Sequence, residues 1–122
     1  MNVTKQDIGK QGEDLAVQFL KKKGYKILER NFHKRYAEID IIAIDGDTLV
    51  FVEVKTRTSD EFGNPLEGIG PWKQKALKRA ALFYKSIHQE LPEGLRIDAV
   101  AVSLSPARVV AQIELVKNII GG

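Results

Sequence analysis

Two stretches of the chain carry small or apolar side chains at helical spacing. In residues 4–23 this stripe consists of Ile8, Gly12, Leu15, Ala16, Phe19 and Leu20. Thr4, followed three residues later by Asp7, is typical of a helix start, and Gly24 is typical of a stop. In residues 71–88 the stripe consists of Trp72, Ala76, Leu77, Ala80, Phe83, Tyr84 and Ile87. The pattern predicts two helices, each with one buried face.

Five apolar runs predict strands. Residues 25–32 alternate loosely and lead into a polar, basic connection at 33–36. Residues 37–57 hold two apolar runs separated by Asp45-Gly46-Asp47, which is a hairpin signal. Residues 95–104 and 109–116 complete the set. The order helix, three strands, helix, two strands indicates an α/β sandwich with a mixed sheet. Since no repeat or linker divides residues 1–122, we expect a single domain.

The turn fixes the expected register of the hairpin. If residues 46–47 form the loop, Asp45 pairs with Thr48, and counting back places Asp40 opposite Glu53. If residues 45–46 formed the loop instead, each residue would have a different partner, but its side chain would point to the same face of the sheet. Four charged side chains are then expected on one face, at the end away from the turn: Glu38, Asp40, Glu53 and Lys55.

These charges are unusual because both faces of the hairpin are otherwise apolar, as in a central strand covered on both sides. Alternating Glu and Lys also occurs on solvated strand faces, but here the charges are confined to one end. Carboxylates clustered in a buried place require a cation or another partner. Lys55 alone cannot neutralise Glu38, Asp40 and Glu53.

The acids and the lysine suit a metal-dependent hydrolytic site. Asp40 and Glu53 supply hard oxygen ligands, which favour Mg²⁺ or Mn²⁺ over Zn²⁺. In Glu53-Val54-Lys55 the two charged side chains share a face, and the Val54 carbonyl can add a ligand. Lys55 can orient water or stabilise a charged transition state, and a metal can activate water and polarise a phosphate. Hydrolysis of a phosphodiester uses all of these groups.

Other segments can serve such a site. Residues 58–70 form a long loop, which is typical of either a functional lid or a flexible segment. The second helix has a basic face made of Lys75, Lys78, Arg79 and Lys85. Such a face is either an ordinary solvated surface or one that binds along a phosphate backbone. Lys73 is nearest the loop and best placed to reach the carboxylates. Gly9 and Gly12, one turn apart, suggest that another backbone or a ligand approaches the first helix.

Composition narrows the possible classes. The chain has no cysteine, which excludes disulfides, thiol catalysis and cysteine zinc sites. No apolar run is long enough to cross a bilayer, and the first residues lack the apolar core of a signal peptide, so we expect a cytoplasmic protein. The net charge is +3 and the pI is about 9.2. This balance mildly favours contact with phosphate backbones.

The acid followed by Glu-x-Lys is similar to the signature of the PD-(D/E)XK nuclease superfamily, with Ile39 in place of its proline. Over residues 9–98 the chain resembles the YraN family of small bacterial proteins, which is related to archaeal Holliday junction resolvases. Ala37 and Ile97 stand where that family usually has glycine and an aromatic residue, and neither departure removes a ligand. The matching motifs are Gly9-x-x-Gly12-Glu13, Arg30-Asn31, Glu38-Ile39-Asp40, Phe51-Val52-Glu53-Val54-Lys55-Thr56-Arg57, Phe62-Gly63 with Pro65, Lys73 and Arg96-x-Asp98.

The resemblance implies a restriction-endonuclease-like three-layer sandwich, with a central mixed sheet flanked by helices. It implies metal binding by Asp40 and Glu53 and a catalytic role for Lys55. It also adds Glu13 to the site, whereas its position beside the apolar stripe alone favours an edge carboxylate bonded to solvent or lysine. We therefore expect a Mg²⁺- or Mn²⁺-dependent endonuclease acting on DNA rather than RNA. The residues expected on nucleic acid are Lys73, Lys75, Lys78, Arg79 and Arg57.

The same resemblance makes branched or structured DNA a candidate substrate and a homodimer a candidate assembly. Two other functions fit the sequence. One is a nucleic-acid-binding protein whose vestigial site no longer cleaves, although the intact set of Asp40, Glu53 and Lys55 argues against it. The other is an interaction protein with a structural metal, which would leave Lys55 without a role.

Overall fold

The computed structural model of the chain describes residues 4–35, 37–58 and 65–120. The order of its elements confirms the predicted α/β arrangement. The elements are α1 (Lys5–Lys22), β1 (Lys26–Lys34), β2 (Ala37–Asp45), β3 (Thr48–Thr58), a 3-10 turn (Pro65–Gly68), α2 (Pro71–Ile87), β4 (Gly94–Leu104) and β5 (Val110–Val116). Neither helix is long and apolar enough to cross a membrane, within the part of the chain that is described.

The five strands form one mixed sheet in the order β1-β2-β3-β4-β5. Neighbours are antiparallel except for β3 and β4, which are parallel and are connected through α2. This connection is required because parallel neighbours cannot be joined by a tight turn. Helix α1 packs Ala16, Val17 and Leu20 on one face of the sheet. Helix α2 packs Leu77, Ala80, Ala81 and Tyr84 on the other face. The helices and the sheet make three layers.

Helix α1 begins as the sequence predicts. Thr4 Oγ1 accepts a hydrogen bond from the Asp7 N–H at 3.0 Å, and the Asp7 carboxylate accepts one from the Thr4 N–H at 3.1 Å. This reciprocal cap satisfies two free backbone donors. Close approach to α1 is confirmed at Gly12, where an added Cβ would overlap the Thr56 side chain on β3. At Gly9 no described atom lies within 4 Å of an added Cβ, and Gly9 lines an open cleft with Glu13 and Asp40, so approach by a ligand there stays a prediction.

Two parts of the predicted pattern are corrected. Strand β1 continues to Lys34, since His33 and Lys34 pair with β2, so the connection to β2 is shorter than predicted. Trp72 and Ile87 were assigned to the buried stripe of α2, yet they are 87% and 55% exposed. They lie at the two ends of α2, beyond the central turns that contact the sheet. Of the predicted loop at 58–70, residues 59–64, including Phe62 and Gly63, lie outside the described residues.

Candidate metal centre

The backbone pairing between β2 and β3 stops partway along both strands. Partners run from Asp45 opposite Thr48 to Ile41 opposite Val52, which confirms the register expected from the turn. Beyond that point β2 still pairs with β1, and β3 still pairs with β4, to their far ends. The two strands therefore separate, and a fork opens between them where Asp40 and Glu53 would form the next pair.

Asp40 closes the base of this fork with its side chain. Its Oδ2 accepts a hydrogen bond from the Val54 N–H at 2.7 Å. In a continuous ladder that N–H would bond to the backbone of Ile39, so the Asp40 carboxylate replaces a backbone acceptor. In an extended strand the C=O of a residue points to the same side as its N–H. The Val54 carbonyl therefore also faces the fork.

The prediction that the four charges share one face is wrong for Asp40 and also for Glu38, which lies between Ala37 and Ile39 on the α2 side of the sheet and therefore faces the α1 side. Ile39 and Ile42 both pack on the α2 side of the sheet, so the alternation along β2 breaks between them. Asp40 lines a cleft of about 320 Å³ together with residues of α1. Glu53, in contrast, forms an ion pair with Lys73 of α2. The two acids come from opposite sides of the sheet and meet at the fork.

Asn31 on β1 provides the physical reason for this break. By the register of its neighbours, Asn31 lies opposite Asp40, and its φ angle is +55°. Asparagine adopts this left-handed conformation more readily than most residues. The kink turns Arg30 toward α1, where it bonds Glu13, while Phe32 packs on the α2 side. Sequence reasoning missed this role, although Arg30-Asn31 was among the motifs that match the YraN family.

The environment of Asp40 favours its protonated form when no cation is present. Burial, followed by the negative charge of Glu53, raises the pKa of Asp40 to about 7, although the Val54 N–H opposes the shift. Glu13 and Glu38 add smaller negative contributions. The carboxyl groups of Asp40 and Glu53 are close enough that each affects the pKa of the other. The fork therefore concentrates more negative charge than its own residues neutralise.

Glu53 has one satisfied and one unsatisfied oxygen. Its side chain is almost fully buried, and its Oε1 lies 3.5 Å from Lys73 Nζ. Burial raises the pKa of Glu53, and the charges of Lys73 and Lys55 oppose that shift. Its Oε2 is buried with no hydrogen-bond partner among the described residues. A buried polar atom without a partner is rare in folded proteins. A carboxylate oxygen in this position fits Mg²⁺ or Mn²⁺, which prefer oxygen ligands.

Glu13 lies near the centre but is held by another residue. It lines the same cleft as Asp40, and its Oε1 is 3.2 Å from Arg30 Nη2, which also contacts Asp14 at 2.7 Å. Among residues 4–35, 37–58 and 65–120, no three His, Cys, Asp or Glu side chains are grouped closely enough to hold a metal. The candidate centre therefore has two carboxylates, Asp40 and Glu53, and metal binding by them and by Glu13 stays a prediction.

The predicted basic residues divide into two groups. Lys73 contacts Glu53, and Lys55 lies against the 3-10 turn, since a Cβ added at Gly68 would be 3.8 Å from its Nζ. Arg57 follows on the face of β3 that carries Glu53 and Lys55. Its Nε and Nη1 atoms are buried and have no partner among the described residues. The second group is exposed on the outer surface of α2 and consists of Lys75, Lys78 and Arg79.

The Arg96-x-Asp98 motif does not line the fork. Asp98 is fully buried, and its carboxylate accepts hydrogen bonds from Arg96, from the Tyr25 hydroxyl and from the Asn118 N–H at 2.8–3.0 Å. Arg96 also contacts Asp45, beside the hairpin turn, at 2.8 Å. This network joins β4 to the turn and to the chain after β5. The motif is structural in this fold.

Asp40→Asn is expected to stabilise the metal-free protein at high pH. The pKa of Asp40 is about 7 when folded, against about 3.9 when unfolded. The native state therefore binds more protons, and stability falls as pH rises from about 4 to about 7. Asparagine keeps the acceptor for Val54 but carries no charge. We expect the free energy of unfolding of Asp40→Asn to exceed that of the wild type by about 2–4 kcal/mol at pH 8, since one pKa unit corresponds to roughly 1.4 kcal/mol. The difference should be smaller at pH 5.

Urea unfolding in EDTA at pH 5 and pH 8 measures this difference. Asp14→Asn is the matched control because Asp14 is exposed, and its effect should be small at both pH values. A gain for Asp40→Asn that is equal at the two pH values would contradict the charge argument.

Comparison with known proteins places this chain in a family. The model of a family described as "Uncharacterised protein family UPF0102" matches residues 12–102. A UPF0102 protein of Syntrophus aciditrophicus is 48% identical over 110 residues, which are 90% of this chain and 85% of the relative. One of Caldicellulosiruptor saccharolyticus is 46% identical over 116 residues, 95% and 98% of the two chains. One of Syntrophomonas wolfei is 52% identical over 97 residues, 79% and 84% of the two chains. The chain therefore belongs to the uncharacterised protein family UPF0102.

Proposed function

We propose that this protein is a Mg²⁺- or Mn²⁺-dependent endonuclease that hydrolyses phosphodiester bonds in DNA. One observation carries the proposal. The carboxyl groups of Asp40 and Glu53 meet in the fork between β2 and β3, and the buried Oε2 of Glu53 has no described hydrogen-bond partner. Lys55 lies on the same strand face as Glu53, where a substrate phosphate bound at the fork would meet its ammonium group.

Each residue of the centre has a role in this reaction. Asp40, Glu53 and the Val54 carbonyl would hold the metal, which supplies positive charge to the phosphate and activates water. Lys55 stabilises the negative charge that develops on the phosphate as the bond breaks. Lys73 neutralises Glu53 at 3.5 Å when no metal is bound. When a cation takes over that task, Lys73 can turn to the DNA backbone.

The proposal also gives Arg57 a partner. Its buried Nε and Nη1 atoms have no described acceptor, although a buried guanidinium normally has one. A phosphate accepts two parallel hydrogen bonds from arginine. We assign Arg57 to a phosphate next to the one that is cleaved. Lys75, Lys78 and Arg79, on the outer surface of α2, would extend the contact along the backbone.

The alternative functions explain less of this geometry. A structural metal at Asp40 and Glu53 would leave Lys55, on the same strand face as Glu53, without a role. A protein that only binds nucleic acid would not need a carboxylate pair that repels phosphate. Branched DNA as the substrate, the homodimer and the cytoplasmic location remain predictions; the first two come from the resemblance to Holliday junction resolvases and the third from composition.

Cleavage assays test the proposal. Purified protein is incubated with supercoiled, linear and four-way-junction DNA in Mg²⁺, Mn²⁺ or EDTA. We expect cleavage only with metal, and a loss of at least about 100-fold in Lys55→Met, which keeps the side-chain length but removes the charge. Lys22→Met is the matched control, because Lys22 is exposed at the other end of α1.

Binding that persists without cleavage in any metal would overturn the nuclease proposal in favour of a binding protein. Equal cleavage by Lys55→Met and by the wild type would remove Lys55 from the mechanism.

A further inference from the structure

The first turn of α2 exposes an aromatic side chain that the candidate metal centre does not use. Trp72 is 87% exposed, whereas tryptophan is usually well buried. It lines a groove of about 300 Å³ between α2 and the end of β1, together with Arg35, Lys75, Ala76 and Arg79. Residues 72, 75, 76 and 79 follow helical spacing, so these side chains form one continuous strip along α2.

The charge of this groove identifies a class of ligand. Three of the described residues that line it are cationic, and none is acidic. An indole among cations matches a nucleic acid strand, in which bases alternate with phosphates along the chain. Bases in an intact duplex are stacked on each other and cannot reach an indole face. The groove therefore fits an unpaired nucleotide, with its base on Trp72 and the adjacent phosphates on Arg35 and Lys75.

The groove shares one residue with a cavity on the Glu38 side of the fork. Arg35 lines both this groove and a wider open cavity that includes Glu38. Glu38 is close enough to Asp40 to contribute to its raised pKa. On the other side, Lys73 follows Trp72 directly and contacts Glu53. A strand lying in the groove would therefore lie next to residues that border the candidate metal centre.

We propose that Trp72 is a stacking platform for an unpaired base, so that the protein binds DNA containing single-stranded segments in preference to intact duplex. This inference takes nucleic acid as the ligand from the proposed function. It adds the binding subsite and the kind of DNA that the subsite selects.

The chain contains a single tryptophan, so its fluorescence reports this site directly. The protein is titrated in EDTA with a short oligodeoxythymidylate, with an abasic strand of the same length, and with a blunt duplex. We expect quenching of Trp72 by the first strand only. By fluorescence anisotropy of labelled strands, Trp72→Ala should bind the thymidylate strand roughly tenfold more weakly. The same variant should bind the abasic strand within about twofold of the wild type, since phosphate contacts remain.

Two variants sharpen the test. Trp72→Phe should recover much of the affinity, because a smaller ring still stacks. Lys75→Ala should weaken both strands alike and lower the salt dependence of binding, as expected of a phosphate contact. Since Trp72 is exposed, replacing it should not unfold the protein, and circular dichroism checks this.

Equal quenching by the thymidylate and abasic strands, or equal weakening of both by Trp72→Ala, would overturn the inference. A Trp72 emission that changes with protein concentration in the absence of DNA would overturn it too, because it would indicate contact between two copies. No cleavage is measured here, and Lys22→Met, at the exposed far end of α1, should bind as the wild type does. Failure of the nuclease proposal and failure of the stacking platform are therefore separate results.

Discussion

Glu53→Gln is expected to lower the rate of Mg²⁺-dependent DNA cleavage by at least about 1000-fold while the protein stays folded. Glutamine keeps the size of the side chain and can still accept a hydrogen bond from Lys73. It removes the negative charge of Glu53, which we propose as a metal ligand. The buried Oε2 of this carboxylate has no described hydrogen-bond partner. Losing a single preorganised stabilising group commonly costs about 10²–10³-fold, and loss of the metal costs more.

Single-turnover cleavage with excess enzyme measures this effect. DNA binding in EDTA should be retained or slightly tighter, since a negative charge has been removed near the phosphates. Glu93→Gln is the matched control, because Glu93 is exposed just before β4, at the end of the sheet that carries the hairpin turn. Glu53→Gln cleaving within tenfold of the wild type would contradict the assignment of Glu53. Because burial raises the pKa of Glu53 and so disfavours its charge, the variant should also be at least as stable as the wild type.

Asp98→Ala is expected to lower the free energy of unfolding by about 3–5 kcal/mol. Asp98 is fully buried and accepts hydrogen bonds from Arg96, Tyr25 and the Asn118 backbone. Among the described residues, alanine leaves Arg96 with Asp45 as its one acidic partner, and it leaves the Tyr25 hydroxyl without its acidic acceptor. Removing one member of a buried charged network costs far more than the network itself contributes, because the other members remain desolvated.

Urea unfolding at pH 7 measures this loss. Glu93→Ala, at an exposed position just before β4, should change stability by less than about 0.5 kcal/mol. Cleavage per folded molecule should survive in Asp98→Ala at low temperature, since Asp98, Arg96 and Tyr25 do not line the cleft that contains Asp40. A loss below about 1 kcal/mol, or a cleavage defect without a stability defect, would mean that Arg96-x-Asp98 has been misassigned.

Local signals in the sequence were sufficient to predict the order of the helices and strands and the register of the β2–β3 hairpin. Thr4 with Asp7 located the start of α1 because a cap depends only on neighbours along the chain. Asp45-Gly46-Asp47 fixed the pairing of β2 with β3, and Gly46 has the positive φ that such a turn requires. These features are set by short-range geometry, so a pattern of residues predicts them.

The fork itself could not be predicted because it depends on contacts between distant residues. Counting along β2 assumes strict alternation, and the left-handed Asn31 on β1 breaks it opposite Asp40. The ion pair of Glu13 with Arg30 joins α1 to β1 and has no local signal either. Trp72 matched the apolar stripe of α2 but lies beyond the part that the sheet covers. In each case contacts between distant residues determined where the side chain lies, which the periodicity of the sequence does not specify.

The central claim is that Asp40 and Glu53 together hold one divalent cation, and calorimetric titration with Mn²⁺ at pH 7 tests it most directly. We predict one ion bound per chain. Proton release should also be seen when buffers of different ionisation enthalpy are compared, because Asp40, with a pKa of about 7, must lose its proton to bind metal. Asp40→Asn and Glu53→Gln should each abolish binding. No binding at millimolar Mn²⁺, or binding that persists in the double variant, would contradict the account.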